Sequence, residues 1–285
     1  FLDPFTGNCA GYQKKHWVDF KNSQKNDIKN FWEMSRWEWA PTFVRAWKYT
    51  GNKQYLNSLQ LWVDDWCDKN PINTGVNWTC AQEVSIRLIN ALQANYLLND
   101  LEIDLNLNWR AFIKDHITRI SKTHIYAISQ LNNHWVSEAA ALFIGGSLIG
   151  DDSFAEQGRK SLEKSISKLV MKDGSFSQHS TNYHRLVLDT LVQVEIWRIK
   201  LGLKNFSAGF IKSRSRLLDW LIIFVDPISG KAPNLGCNDG ANCYGLHNMP
   251  FDDYRASLQL ASMIFNKKVI FNEGPWNEPL YWYEI

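Results

Sequence analysis

"NKQYLNSLQLWVDDWCDKN", residues 52–70, places Tyr55, Leu59, Trp62, Val63 and Trp66 at spacings of three and four and stops before Pro71. Apolar residues at that spacing line one face of a helix, and a proline just past them ends it. The same period recurs on both sides. "CAQEVSIRLINALQANYLL" (80–98) puts Val84, Leu88, Ala91, Leu92 and Asn95 on one side, and "WRAFIKDHITRISKTHIYAIS" (109–129) continues it. Further helices are predicted over 135–149, 154–170, 184–201, 208–225 and 253–266. Upstream, 27–51 reads as two short helices broken at Pro41, or one kinked there, ending at Gly51.

Strand signals are scarce. About ten helices joined by short Gly/Asn/Pro loops predict antiparallel hairpins. A helix pair recurs roughly every 40–50 residues without a repeated signature, which points to an all-α solenoid or its closed form, an (α/α) toroid. No linker-like stretch divides the chain, so residues 1–268 read as one helical domain. The stretch "VIFNEGPWNEPLYWYEI" (269–285) is aromatic, carries two prolines and shows no helical period. It reads as a non-helical tail, either a strap over the helices or the start of a further domain.

Composition bounds the function. The chain has 285 residues, 45% hydrophobic and 21% charged, enough for a full core. The net charge of +2 comes with no Lys/Arg block, which argues against a nucleic-acid partner but leaves room for a local basic cleft. Fourteen Trp, ten Tyr and fifteen Phe supply core and, where exposed, flat faces on which sugar rings stack. Five cysteines (9, 67, 80, 237 and 243) show no tight metal-ligand spacing, and the odd number leaves at least one without an intrachain partner. Cys237 and Cys243, six apart in a Gly/Asn-rich loop, are a candidate disulfide. No run of 18 apolar residues spans a membrane. The sequence starts at Phe1 with no visible signal peptide.

Four stretches at loop–helix junctions carry candidate chemistry. "NNHW" (132–135) precedes an apolar small-residue helix. "DGSFSQHSTNYHRLVLDTL" (173–191) crowds Gln178, His179, Tyr183 and His184 at a helix start. "NPINTGVNWTCAQEVSIR" (70–87) holds Asn77, Trp78, Glu83 and Arg87, and "APNLGCNDGANCYG" (232–245) holds Asn234, Asn238 and Asp239. Each has a structural reading. Asn132 or Asn133 caps a helix, Tyr183 and His184 pack, Glu83 and Arg87 pair at i,i+4, and "NDG" makes a turn. Together they suit removal of a proton alpha to a carboxylate. An amide at a helix opening neutralises that carboxylate, and a Tyr or His moves the proton. Tyr, with an unperturbed pKa of about 10, needs a cationic or donor neighbour for this near neutral pH. His134, His184 and Arg87 are the candidates.

The sequence resembles the heparinase II/III-like polysaccharide lyases. The resemblance rests on "DIKNFWEMSRWEW", "YLNSLQLWVDDWCDKNPINTGVNWTCAQEVSIRLIN", "NNHWVSEAAALFIGG", "DGSFSQHSTNYHRLVLDTL" and "PNLGCNDGA", in that order over roughly residues 27–242. It implies an incomplete (α/α) toroid followed by a β-sandwich domain, which would lie beyond Ile285. The implied activity is β-elimination at a uronic acid in an acidic polysaccharide, in a periplasmic or cell-surface setting, without cofactor and with no metal in this part. Carried over, Asn133 neutralises the uronate carboxylate, Tyr183 is the proton-shuttling base or acid, and His134 is base or carboxylate contact. His184, Gln178, Arg87, Glu83, Trp78 and Arg36 line the cleft, with Asn77, Asn238 and Asp239 as further substrate contacts. In the family the second domain usually adds another catalytic His or Tyr, for which His179 or His247 would have to substitute here.

Two other functions compete. A glycan-binding module would use Trp78, Trp135 and Arg87 without elimination. A glycoside hydrolase would need two carboxylates across a cleft, drawn from Asp173, Asp239 and Glu83.

Overall fold

The computed structural model describes residue 7 and residues 15–20, 27–99, 105–239 and 241–285. Cys9 and Gly240 lie outside them. The described residues contain no strand, only isolated bridges at His16–Thr74 and Val170–Phe176. The chain divides into two compact units, Phe1–Thr123 and His124–Ile285.

The first unit holds α1 (Lys29–Met34), α2 (Trp39–Thr50), α3 (Gln54–Lys69), α4 (Ala81–Asn99) and the start of α5 (Trp109–Gln130). The break between α1 and α2 falls at Ser35–Glu38, not at Pro41. Pro41 is the third residue of α2, where no intrahelical N–H is needed, so it opens the helix rather than breaking it. Trp37, in the break, takes a left-handed backbone (φ 61°) and buries its indole completely. It meets Trp66 edge-on at 5.4 Å and Phe112 at 5.1 Å. α2 ends at Gly51, as expected.

On α3 the period holds for Leu59, Val63 and Trp66, which are buried. Trp62 is 46% exposed and lies edge-on to Trp39 and Phe43. α4 departs further from the amphipathic expectation. Its polar positions Gln82, Glu83, Ser85, Arg87, Asn90 and Gln93 are buried along with its apolar ones. A helix enclosed on every side must find internal partners for its polar groups.

The second unit holds the rest of α5, then α6 (Asn133–Ile149), α7 (Asp152–Leu169), α8 (Thr181–Lys200), α9 (Ala208–Phe224), α10 (Arg255–Asn266) and α11 (Glu278–Trp282). α6 and α7 form a tight hairpin through Gly150 and the cap residue Asp151. Their backbones approach so closely that a Cβ on Gly158 would sit 2.3 Å from the Phe143 nitrogen. α8 packs against α6, α9 and α10. The tail is not the non-helical segment expected. Pro275–Asn277 makes a 3-10 turn that runs into α11. Two prolines sit in first turns, where a missing N–H is harmless, and the segment is too short to show a period. Gln259 of α10 accepts from the Ile270 and Phe271 N–H groups and donates to Asn277, and Gln193 of α8 donates to the Tyr283 hydroxyl at 3.0 Å. The tail is thereby fastened to α8 and α10.

Candidate active site

In the first unit, the expected cleft residues bond to one another. Arg36 makes a bidentate pair with Glu83, Nε to Oε2 at 2.7 Å and Nη2 to Oε1 at 3.1 Å. Glu83 therefore pairs with Arg36 and not with Arg87 at i,i+4. Arg87, fully buried, donates to His116 Nε2 at 3.0 Å and to the Asn77 and Ser35 carbonyls. Its guanidinium lies over the Trp66 and Trp78 rings, 4.5 and 5.0 Å from their centroids. Burial pulls its pKa down to about 9. His116 is held well below the usual histidine value by burial and by the Arg87 charge. Its Nδ1–H donates to the Phe112 carbonyl at 2.7 Å, which leaves Nε2 free to accept from Arg87. Asn77 donates to Asn70, and the buried Trp78 indole donates to the Asn70 carbonyl. Asn77, Trp78, Glu83 and Arg87 thus sit in a buried polar core, and Arg36 is tied into it.

In the second unit, three of the four motif stretches meet. Asn132 caps α6: its side chain accepts from the His134 N–H at 2.9 Å. The adjacent Asn133 N–H donates to Gln178 Oε1 at 2.9 Å, and this joins "NNHW" to the loop before α8. Leu131 and His179, on either side of this contact, both have left-handed backbones. Asn133 is buried, while His134, Gln178 and Tyr183 are half-buried. The cap and Gln178 take up the first two N–H groups of α6, so the amide chemistry of this opening rests with the Asn133 side chain.

The α8 opening binds the fourth stretch. Ser180 caps it, accepting from the Tyr183 N–H at 3.1 Å and donating to the Cys237 carbonyl at 2.6 Å. Thr181 donates its hydroxyl to the Pro233 carbonyl at 2.9 Å and its N–H to the Leu235 carbonyl at 3.2 Å. Gly236 fits against this turn with φ 68°; a Cβ there would lie 2.3 Å from the His179 carbonyl oxygen. Asp239 collects the ends: Oδ1 accepts from Asn182 at 3.1 Å, and Oδ2 accepts from the Tyr183 hydroxyl at 2.9 Å. The phenol of Tyr183 is therefore oriented by the Asp239 carboxyl group. Asn182, Ser180 and Gly236 escaped the sequence reading as positioning residues. The Ser-x-x-Tyr cap spacing is the one signal that points to them.

Several expectations are corrected. His184 is 1% exposed, donates Nε2–H to the Leu217 carbonyl at 2.7 Å and stacks on Trp220 at 4.6 Å. It is a core residue, with its pKa lowered to about 4 by burial. Trp135 is buried, and its indole donates to Ser161, which rules it out as a sugar platform. Asn238 donates to Asn234 within its own exposed loop. Asp173 accepts from the N–H and hydroxyl of Ser175 in a turn. Glu83, Asp173 and Asp239, the carboxylates a hydrolase would use, are each committed to internal bonds. Cys237 carries a free, exposed thiol, so no disulfide joins it to Cys243. Among the described residues no three His, Cys, Asp or Glu side chains are placed to hold a metal ion, and no helix is long and apolar enough to cross a membrane.

The described residues form an all-α chain whose helix openings gather amides, an imidazole and a tyrosine. Its family is defined by sequence: the chain belongs to the heparinase II/III N-terminus family, whose model matches residues 4–244. Among solved structures it is similar to heparinase III, at 16% identity and a TM-score of 0.63, over 88% of this chain and 39% of that one. It is also similar to the heparan sulfate lyase HepC from Pedobacter heparinus, at 20% identity and a TM-score of 0.51, over 78% of this chain and 35% of that one. These likenesses show the fold, the all-α toroid class expected from the helical hairpins. The chain spans less than two-fifths of the length of either structure. No curated protein matches it.

Proposed function

We propose that this chain is the helical part of a polysaccharide lyase that cleaves an acidic, uronate-containing polymer by β-elimination. One observation carries the reading: Gln178 on the Asn133 N–H and Asp239 on the Tyr183 hydroxyl bring the amide, imidazole and phenol motifs to two neighbouring helix openings. The Asn133 carboxamide donates to the substrate carboxylate, so that charge developing on it after proton loss is tolerated. His134 accepts the proton alpha to that carboxylate. Tyr183, protonated and oriented by Asp239, donates its proton to the leaving glycosidic oxygen as the carbon–oxygen bond breaks. The products are an unsaturated uronide and a free hydroxyl end, and water then restores both protonation states. A polymeric substrate of this kind suits a periplasmic or cell-surface setting.

The test uses this chain and a version extended past Ile285, each incubated with heparan sulfate, hyaluronan, chondroitin, alginate and bacterial capsule. The readout is ultraviolet absorbance of the unsaturated uronide. Signal from wild type that Tyr183→Phe abolishes supports the reading. Signal from the extended version alone assigns part of the site to the added segment. Silence from both, with binding intact, favours a glycan-binding module.

A further inference from the structure

The second unit carries a groove of about 570 Å³ between the C-terminal half of α7, the loop after it and the start of α9. That volume falls within the roughly 300–1,000 Å³ of sites that hold small molecules. Its charged lining is one-sided: Lys160, Lys164, Lys172 and Arg216 face it, against the single carboxylate of Glu163. Glu163 is already engaged, accepting from the Ser207 N–H at 2.8 Å. Lys160 pairs with Glu156 at 3.2 Å. Lys164, Lys172 and Arg216 have no ion pair or side-chain hydrogen bond among the described residues. In a chain with a net charge of only +2, three uncompensated cations around one concavity are a local concentration of charge.

The backbone adds to it. α9 opens into the groove at Ser207, Gly209 and Phe210, with no acidic residue in its first turn. A Cβ on Gly209 would meet nothing closer than the Ser207 hydroxyl at 4.0 Å, so there is open space beside the helix start, where Ser207 caps the Phe210 N–H. The loop that carries Lys172 is fixed on α9: a Cβ on Gly174 would lie 2.1 Å from the Arg216 carbonyl oxygen, so the tip of the loop rests on the α9 backbone. The loop that carries Lys172 at one end carries Gln178, the partner of Asn133, at the other.

We propose that this groove is a second, non-catalytic binding site for the anionic glycan, one that grips carboxylate or sulfate groups of the polymer away from the residues that cut it. The inference rests on the acidic-polysaccharide reading above and extends it to a surface that the chemistry does not need. A polymer held at two places on one unit has a higher effective concentration at the cutting site than one held at a single place.

The experiment measures binding of size-defined heparan sulfate, chondroitin and alginate oligosaccharides by calorimetry at several salt concentrations. It uses the full chain, the triple variant Lys164→Gln/Lys172→Gln/Arg216→Gln, and Lys53→Gln, which removes an exposed cation outside the groove. Thermal melting checks that each variant is folded, and single substitutions replace the triple if it melts early. The expected result is about tenfold weaker binding and a shallower salt dependence for the triple variant, with Lys53→Gln unchanged. Equal binding by wild type and triple variant overturns the groove while leaving the lyase reading standing. Equal affinity for inorganic polyphosphate also overturns it, because the groove would then be a simple ion exchanger. Failure of wild type to bind any acidic glycan overturns the groove, and it removes the lyase reading as well where turnover is also absent.

Discussion

The polar residues of α4 and those at the openings of α6 and α8 look alike in sequence and differ in what they face. Glu83 and Arg87 are enclosed, and every charge meets a partner within the first unit. Asn133, His134 and Tyr183 stand at helix starts, where caps and Gln178 satisfy the N–H groups; Asn133 is buried, while His134 and Tyr183 are half-buried. A buried charge must be paired to exist at all, whereas a group at a helix opening can be held in place and still meet a substrate.

The largest expected effect separates the two regions by activity. Tyr183→Phe, in whichever version of the protein shows lyase activity, should lower kcat by about 10²–10⁴, the usual value of a positioned proton donor. Asn133→Ala should cost about 10²–10³, the value of one donor to a developing oxyanion. Both should melt close to wild type, since neither the Tyr183 hydroxyl nor the Asn133 carboxamide makes the bond that caps its helix. A proportional loss of melting temperature would move these residues into the structural class.

Glu83→Gln sharpens the same contrast from the other side. It removes the charge opposite Arg36 in a pair that is about nine-tenths buried on both partners. The expected loss is about 3–5 kcal/mol of stability, the cost of leaving a buried charge uncompensated. Urea unfolding measures it. Whatever activity the folded fraction retains should be near normal, and a selective loss of kcat would return Glu83 to the cleft.

Acidity offers a third comparison, within the second unit. His184 has its pKa lowered from 6.5 to about 4 by burial, so its contribution to stability is full above pH 6.5 and is lost as pH falls towards 4. Asp189 has its pKa raised from 3.8 to about 7, again by burial, so its contribution is full below pH 3.8 and is lost as pH rises towards 7. The two slopes oppose each other between about pH 4 and 6.5. Relative to wild type, His184→Gln should therefore remove a rise of stability with pH across that window, and Asp189→Asn should remove a fall. Each difference is of order 3 kcal/mol over the window. Denaturant midpoints at several pH values decide it, and parallel profiles for both variants would contradict the burial argument.

The helical framework was legible because the period of three and four survives in α3, α5, α7 and α10 and because Gly51 and Gly150 mark their turns. Pro41 misled, since a proline in a first turn and a proline that breaks a helix look the same until the start of the helix is known. α4 and α6 hid their surroundings: a helix buried on every side has no polar face to read, and the partners of Arg87 and Glu83 lie 29 and 47 residues away in sequence. At the site, the motifs announced Asn133 and Tyr183. The contacts that join them, Gln178 to Asn133 across 45 residues and Tyr183 to Asp239 across 56, are tertiary and have no local signature. His184 was misplaced for a related reason. It lies next to Tyr183, and adjacent residues on a helix point about 100° apart, so one faces the opening while the other enters the core.

The smallest expected effect tests that directional argument on α3, where Trp62 and Trp66 belong to one apolar pattern but not to one environment. Trp66 is buried, donates its indole N–H to Ser35 at 3.2 Å and lies under the Arg87 guanidinium. Trp66→Ala opens a cavity beneath a buried cation and should cost about 3–5 kcal/mol. Trp62 keeps nearly half its surface in water and touches Trp39 and Phe43 by its edge. Trp62→Ala loses those two edge contacts and leaves no cavity, so the expected cost is about 1 kcal/mol. Chemical denaturation of the two variants measures the ratio. Equal losses would mean that the groove beside Trp62, Trp39 and Met34 is covered in solution, and that the face of α3 is as enclosed as its core side.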